Sequence, residues 1–281
     1  MHAQAVFLLF FVTLHSKLTQ GMNKRQFLSG FLAAMLMAAC APKHYQLVGV
    51  ERSRIIVDNR YDQNPDQAAV QFLEPYKRVN DSIMGPVVGQ VAHNMHPTRP
   101  ESDLSNLMSD ILIWAAKDYN EEPVLAVYNM GGIRADLTKG IVTYGDVLDI
   151  APFENKISFT TLTGESLMKL FRQIASRGGE GVSKGVELVI RMDGKGENGE
   201  LVSAKLHGQE IDPQAEYRVT TINYLLEGND GMPAFLEGKN SVVPQEAKDN
   251  TRFLVMNYFR DKQLRGEVVD AQVEGRIKVI K

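Results

Sequence analysis

Two glycine-containing loops carry the side chains with which this sequence could bind a ligand. The first is Asn129-Met130-Gly131-Gly132-Ile133-Arg134, directly after an apolar strand predicted over residues 124–128. Paired glycines let backbone N–H groups approach a ligand closely. Asn129 adds an amide, and Arg134 adds a guanidinium that suits a phosphate or a carboxylate. A tight turn with an exposed arginine explains the same residues equally well, so this loop alone leaves binding open.

The second loop combines an aromatic residue with an aspartate. Residues 223–231 follow another predicted strand and contain Tyr224 and Asp230. Between the two loops, Pro152 fixes the backbone beside Phe153. If both rings project from their loops, they can hold a planar base between them, and such stacking contributes about 1–3 kcal/mol per base. The alternative is that both rings point inward and belong to the core, which is the commoner role of an isolated aromatic residue.

Other motifs in the sequence lack the structural context that their usual binding function requires. Residues 194–199 match G-x-G-x-x-G, but the dinucleotide-binding form of that motif opens a helix. Strands are predicted on both sides here, so we interpret the segment as a hairpin turn. We expect His93 and His96 to lack nearby carboxylates, and a strand would turn them to opposite faces. With six histidines and one cysteine, no histidine-rich or cysteine-rich metal cage is expected.

The elements that must position the loops are both helices and strands. Ser102 is placed to cap a helix whose apolar residues recur at helical spacing: Leu104, Leu107, Met108, Ile111, Leu112 and Ala115. Thr143 and Thr163 are each placed to cap a further helix. The later elements are strands over residues 186–192, 201–206 and 217–222, a helix around 253–259, and a strand near 268–280. Helices alternate with strands early and hairpins dominate later, which predicts an α+β domain with a mixed sheet.

The first 40 residues are typical of an export signal. Lys24 and Arg25 precede an apolar run of 13 residues that ends at Ala39, which suits a signal peptide better than a membrane span. Ala38-Ala39-Cys40 resembles the lipobox of bacterial lipoproteins, so we expect Cys40 to be acylated and residues 1–39 to be removed, with Met22 as the true start. The alternative for Cys40 is a buried free cysteine.

Composition and charge exclude several classes of protein. The chain is 44% hydrophobic and 23% charged, which excludes a disordered or collagen-like chain. The formal net charge of −3 argues against binding to a nucleic-acid polymer. A single cysteine excludes an internal disulfide framework. No acidic tract follows Cys40, which favours a lipid anchor that faces the periplasm.

Taken in order, these segments resemble the C-terminal, substrate-binding domain of the bacterial 5'-nucleotidase / UDP-sugar hydrolase family. The resemblance covers nearly all of residues 85–281. The matching segments are Glu101-Ser102-x-Leu104-Ser105-Asn106-Leu107, Asn129-x-Gly131-Gly132-Ile133-Arg134, Gly140-Ile141-x-Thr143-Tyr144-Gly145-Asp146-Val147, Pro152-Phe153-x-Asn155, Leu162-Thr163-Gly164, Asn223-Tyr224-Leu225 with Gly228-Asn229-Asp230-Gly231, and Gly275-Arg276-Ile277. Several motifs in the correct order are far more specific than any one of them.

The resemblance implies a four-layer α/β/β/α domain that binds a nucleotide or a nucleotide sugar. The expected contacts are Asn129 and Arg134 with the phosphate or ribose, Phe153 and Tyr224 with the base, Asp230 with the ribose hydroxyls, and Gly132 and Gly231 as the narrow points of the loops.

Four positions depart from the pattern of the family. Tyr224 stands where phenylalanine is commoner, and Asn229 interrupts the usual Gly-Gly-Asp-Gly. Met232 replaces an aromatic residue, and Thr98 occupies the place of a phosphate-contacting arginine, for which Arg99 is a candidate substitute. These departures leave open a third interpretation, a retained fold whose binding site has decayed.

The catalytic residues of the family lie in an N-terminal metallophosphatase domain, whose metals are bound through D-x-H, G-D-x-x-D and G-N-H-E motifs. We identify none of these motifs in the 281 residues, and residues 65–84, after a tether over 40–64, resemble the inter-domain helix. The resemblance therefore implies the nucleotide-binding half of a split 5'-nucleotidase. A separate metallophosphatase chain would hold the divalent metals, and this chain would supply neither cofactor nor catalytic residue. The alternative is a nucleotide-capturing lipoprotein without catalysis.

Overall fold

The computed structural model of the protein describes residues 47–193 and 199–280. The chain divides into two compact units, residues 1–64 and 65–281. In the first unit, the short 3₁₀ helix Asn59–Tyr61 is capped by Asp58, whose side chain accepts a hydrogen bond from the backbone N–H of Arg60. The predicted signal peptide, the predicted lipid attachment at Cys40 and most of the G-x-G-x-x-G segment lie outside the described residues.

The second unit is built from six α-helices and eleven strands within the described residues. The helices are α1 (Gln67–Met84), α2 (Asp103–Ala116), α3 (Tyr144–Ile150), α4 (Gly164–Ser176), α5 (Asn223–Leu226) and α6 (Thr251–Leu264). The strands are β1 (Val87–Val91), β2 (Leu125–Tyr128), β3 (Gly140–Thr143), β4 (Ile157–Thr163), β5 (Gly181–Val182), β6 (Val186–Met192), β7 (Gly199–Leu206), β8 (Gln209–Glu210), β9 (Glu216–Ile222), β10 (Lys239–Val242) and β11 (Ile277–Ile280).

The strands form three sheets, and the two larger ones are mixed. Their orders are β1-β3, β10-β4-β9-β2-β5 and β11-β6-β7-β8. In the five-stranded sheet only β2 and β9 are parallel, and in the four-stranded sheet only β11 and β6 are. The predicted α+β class with a mixed sheet is confirmed.

The central pair of parallel strands decides where the loops lie. Leu125 of β2 pairs with Val219 of β9, so both strands point the same way and end at the same edge of the sheet. β4 runs antiparallel to β9 and starts at this edge, where Ile157 pairs with Ile222. The segments that follow β2, precede β4 and follow β9 therefore emerge side by side.

Helix α2 packs its apolar side against β2, β5 and β9 of the five-stranded sheet. The six apolar residues that predicted this helix are all at most 2% exposed. Helix α4 packs against β4 and β9 and also against β7 of the four-stranded sheet, so it lies between elements of both larger sheets. Together these contacts give the loops a fixed base of close-packed side chains.

Helix α1 differs from the other long helices, because none of its residues is buried. Its large apolar side chains, Val70, Phe72, Leu73, Tyr76, Val79 and Ile83, are all exposed. The helix contacts α3. None of the helices in the described part of the chain is long and apolar enough to cross a membrane.

The end of the chain differs from the prediction. A strand was expected near residues 268–280, but β11 covers only Ile277–Ile280. Val269 makes a single bridge to Val91, and Gly275 turns the chain with a φ of 79° before β11 begins. The apolar residues in this region therefore belong to two separate contacts, and one strand pattern cannot describe both.

The three predicted helix caps, at Ser102, Thr143 and Thr163, are confirmed.

The cap of α2 can be tested through its effect on stability. The Ser102 hydroxyl accepts a hydrogen bond from the N–H of Ser105 at 3.1 Å. We expect Ser102→Ala to lower the free energy of unfolding by about 1 kcal/mol, because that buried N–H loses its partner. Chemical denaturation measures the change. Ser176→Ala, which alters an exposed serine at the end of α4, is the control and should change stability by less than about 0.5 kcal/mol. Equal effects of the two changes would contradict the capping role.

Candidate functional site

The three loops that meet at one edge of the five-stranded sheet enclose a cavity of about 350 Å³. Its lining residues are Asn129, Gly131, Gly132, Arg134, Phe153, Asn155, Tyr224 and Asp230. Six of the seven residues predicted for the site are in this set, although they come from segments about a hundred positions apart in the sequence, and the seventh, Gly231, is not among the lining residues. Gly131 and Asn155 also line the cavity, and both stand in the motifs of the family without having been predicted to bind a ligand.

The two aromatic side chains are exposed at the cavity. Phe153 is 47% exposed and Tyr224 is 37% exposed, so the alternative in which both rings join the core is wrong. The guanidinium carbon of Arg134 lies 6.0 Å from the centre of the Phe153 ring, at the outer limit of a cation–π contact. The two exposed aromatic rings and the guanidinium of Arg134 thus line the same cavity.

Asn129 and Gly132 approach each other closely within the first loop. The Asn129 side chain donates from Nδ2 to Asp230 Oδ2 at 2.7 Å, which links the first loop to the second. A Cβ atom on Gly132 would lie 2.5 Å from Asn129 Oδ1, so no larger residue fits without moving that amide. Glycine is required here by the close approach of the Asn129 side chain.

The amide oxygen of Asn129 is a buried acceptor. Within the described residues it has no hydrogen-bond partner, and the residue as a whole is only 4% exposed. An unsatisfied buried acceptor costs about 1–3 kcal/mol. A ligand that brings a hydroxyl or amine donor to this part of the cavity would therefore gain from pairing with it.

Asp230 lies in the second loop with a φ of 54°, in the left-handed region. Besides the bond from Asn129, its other carboxylate oxygen, Oδ1, is 3.4 Å from the hydroxyl of Tyr224 and 3.7 Å from Nη2 of Arg177. Neither contact is a short hydrogen bond, so Oδ1 keeps acceptor capacity on the cavity side. The carboxylate is held in place yet remains able to accept from a ligand hydroxyl.

Arg177 and Glu180 support the site, and the sequence reasoning missed both. The Glu180 carboxylate is fully buried and accepts from Arg177 Nε at 2.7 Å, from Arg99 Nη2 and from the backbone N–H of Met130 at 2.5 Å. Arg177 in turn faces Asp230. The signal available in the sequence was an acidic residue between two glycines, four positions after the end of α4.

The charge of Arg177 is stabilised by its neighbours. Burial alone lowers its pKa, but the hydrogen bond and charge of Glu180, followed by the charge of Asp230, raise the pKa above the ordinary value for arginine. The guanidinium is therefore a fixed positive charge behind Asp230.

The departures from the family pattern have structural explanations. Asn229 donates from Nδ2 to the backbone oxygen of Tyr224 at 2.9 Å and so ties the second loop together. Met232 is fully buried and belongs to the core. Arg99, the candidate phosphate contact, instead donates to Gly179 O at 2.9 Å and to Glu180, and it is not among the lining residues.

Two expectations about metal-binding residues need correction. His93 and His96 do have carboxylate neighbours, because Asp103 lies 3.3 Å from His93 Nε2 and Asp136 lies 2.9 Å from His96 Nδ1. A G-D-x-x-D string also occurs on its own, at residues 145–149, where Asp146 caps α3 by accepting from the N–H of Thr143. Within residues 47–193 and 199–280, no three acidic, histidine or cysteine side chains are grouped to hold a metal ion.

The exposure of Phe153 leads to a prediction about stability. We expect Phe153→Ala to change the free energy of unfolding by roughly 1 kcal/mol or less, because the ring has little core contact to lose. Phe159→Ala, which removes a fully buried ring from β4, should cost about 3–5 kcal/mol. Chemical denaturation of both variants measures the difference. Similar losses would show that Phe153 is a core residue.

Solved structures share this fold. A 5'-nucleotidase precursor from Thermus thermophilus aligns with a TM-score of 0.65 and 24% identity, over 76% of this chain and 43% of that one. The NAD nucleotidase of Haemophilus influenzae aligns with a TM-score of 0.54 and 20% identity, over 76% of this chain and 41% of that one. Likeness at these identities establishes the fold alone.

The sequence comparisons establish the family. The trifunctional nucleotide phosphoesterase protein YfkN of Bacillus subtilis (strain 168) is 27% identical over 80% of this chain, and protein UshA of Escherichia coli (strain K12) is 24% identical over 60% of it. The chain spans only 16% of the first relative and 30% of the second. The family model described as 5'-nucleotidase, C-terminal domain, matches residues 87–237, more than half of the sequence. The chain therefore belongs to the 5'-nucleotidase C-terminal domain family.

Proposed function

We propose that this chain binds a nucleotide in the cavity between its three loops and presents the phosphate to a separate catalytic chain. The observation that carries the proposal is the convergence of two exposed aromatic rings, a carboxylate and an arginine on one cavity. Aromatic faces suit a base, a carboxylate suits ribose hydroxyls, and a guanidinium suits a phosphate.

Each part of a nucleotide has a matching group in the cavity. The base would stack between Phe153 and Tyr224, which are both exposed. The ribose hydroxyls would donate to Asp230, and one donor of the ligand would satisfy the free oxygen of Asn129. Arg134 is exposed and its guanidinium donates to the backbone oxygen of Gly131 at 3.3 Å, so its charge is available for a phosphate. Nucleotide sugars carry the same three parts and remain candidate ligands.

Calorimetric titration of the protein with AMP, UMP and adenosine, without added metal, tests the binding. We expect saturable binding of all three, and about tenfold weaker binding after Phe153→Ala, because one stacking contact is lost. Arg134→Ala should weaken the binding of AMP and leave that of adenosine unchanged, because only AMP carries the phosphate.

Phe72→Ala is the matched control for this titration. Phe72 is an exposed phenylalanine of α1 and does not line the cavity, so its removal should leave the Kd of AMP unchanged. Absence of binding of any of the three ligands at millimolar concentration would refute the proposed function and favour a decayed site.

The proposed reaction partner is a metallophosphatase chain. Its divalent metals would activate the water and stabilise the leaving oxygen, whereas this chain would hold base, ribose and phosphate in place. The names of the relatives support a phosphoester substrate, since one is called a nucleotide phosphoesterase. The exposed apolar side chains of α1 also favour a partner chain, because such surface is typical of contacts between proteins.

We further propose a lipid anchor at Cys40 that holds the protein at the membrane, facing the periplasm.

Hydrolysis in the presence and absence of the partner separates the two functions. We expect the protein alone to release no phosphate from AMP, and to accelerate release by a secreted metallophosphatase encoded beside it. Phe153→Ala should remove most of that acceleration. Phosphate release by the pure protein would contradict the split arrangement, and binding without any acceleration would favour a nucleotide-capturing lipoprotein.

A further inference from the structure

One buried carboxylate connects the two loops of the cavity without lining it. Glu180 accepts the backbone N–H of Met130, which belongs to the first loop, through Oε2 at 2.5 Å. Its other oxygen, Oε1, accepts from Arg177 Nε at 2.7 Å. Arg177 faces Asp230 of the second loop. The two loops are therefore linked through a series of contacts: the backbone N–H of Met130, the carboxylate of Glu180, the guanidinium of Arg177 and the carboxylate of Asp230.

The backbone places Glu180 under the loops with little freedom. Gly179 has a φ of 109°, and a Cβ atom there would lie 2.2 Å from the backbone oxygen of Pro100. Gly181 follows in β5, where it pairs with Tyr128 at the end of β2. Glu180 lies between these two glycines, and its carboxylate reaches the start of the first loop at the N–H of Met130.

The hydrogen bond to Glu180 determines how closely the guanidinium of Arg177 approaches Asp230. Arg177 donates a short hydrogen bond to Glu180 but stays 3.7 Å from Asp230, beyond hydrogen-bond range. Without the carboxylate of Glu180, the nearest anion for Arg177 is Asp230. A direct hydrogen bond between them would occupy Oδ1, the oxygen that otherwise keeps acceptor capacity for a ligand.

We propose that Glu180 is a positioning residue that keeps Asp230 open to the hydroxyls of the ligand. It does so by retaining Arg177, and it fixes the first loop at the same time through the N–H of Met130. The inference rests on the proposed function, because it names what sets the preference of the same cavity for a ligand with ribose hydroxyls. Glu180 itself touches no ligand.

The test compares AMP with 2',3'-dideoxy-AMP, which lacks both ribose hydroxyls, in the wild-type protein and in Glu180→Gln. Glutamine keeps the size of the side chain, and its amide oxygen can still accept the N–H of Met130, but it loses the charge that retains Arg177. We expect the binding of AMP to weaken about tenfold, the equivalent of one charge-assisted hydrogen bond. The binding of 2',3'-dideoxy-AMP should change less than about twofold, because that ligand never used the Asp230 acceptor. Calorimetric titration measures all four dissociation constants.

Two further variants separate positioning from a loss of folding. Glu101→Gln alters another buried glutamate, which accepts from Asn106 Nδ2 and from backbone N–H groups near β11, and these partners are not those of Glu180. It should lower the thermal stability and leave the ratio of the two dissociation constants unchanged. In an Asp230→Asn background, Glu180→Gln should have no additional effect on that ratio.

The possible results are distinguishable. Equal weakening for the two ligands, no weakening, or an additional effect in the Asp230→Asn background would overturn the positioning role and leave nucleotide binding intact. Failure of the wild-type protein to bind AMP at all would overturn the proposed function, and this inference with it.

Discussion

The parallel pairing of β2 with β9 is the interaction on which the rest of the structure depends. Residues 125 and 126 pair with residues 219 and 220, although more than ninety positions separate them. Thr221 reinforces the pair, since its buried hydroxyl donates to Val127 O at 2.9 Å. Because both strands end at one edge of the sheet, the loop that carries the positive charge of Arg134 and the loop that carries the negative charge of Asp230 line the same cavity.

Buried polar groups then refine what the sheet brings together. Charges inside a protein are retained when other charges and hydrogen bonds compensate them, and removal of one partner costs about 3–5 kcal/mol. Glu180 meets this condition with two arginines and a backbone amide. Arg276 meets it near β11, where it donates to Asp110 and to the backbone oxygen of Val182. The first of these clusters lies under the cavity, and the second ties the C-terminal strand to the core.

Local features of the sequence predicted the local structure well. The caps at Ser102, Thr143 and Thr163 and the apolar spacing of α2 are properties of a few neighbouring residues, and all are confirmed. The α+β class and the family are confirmed as well. Six of the seven predicted site residues line one cavity, and their contacts with a ligand remain a prediction.

Two of the predictions that failed concern partners distant in the sequence. His96 was expected to lack a carboxylate, and its partner Asp136 is forty positions away. Arg99 and Glu180 are 81 positions apart, and nothing in the sequence around either residue indicates their pairing. Such contacts arise only once the strands and glycine turns have set the path of the backbone, so a pattern of neighbouring residues cannot reveal them.

The charges in the cavity and those behind it lie at different depths and therefore respond differently to salt. Mobile ions screen exposed charges within about 8 Å at physiological ionic strength, and they screen buried pairs much less. The bond between Arg177 and the fully buried Glu180 is therefore screened less than the charge of the exposed Arg134. The shape of the cavity should persist over a wide range of ionic strength, whereas its attraction for an anion should fade as salt is added.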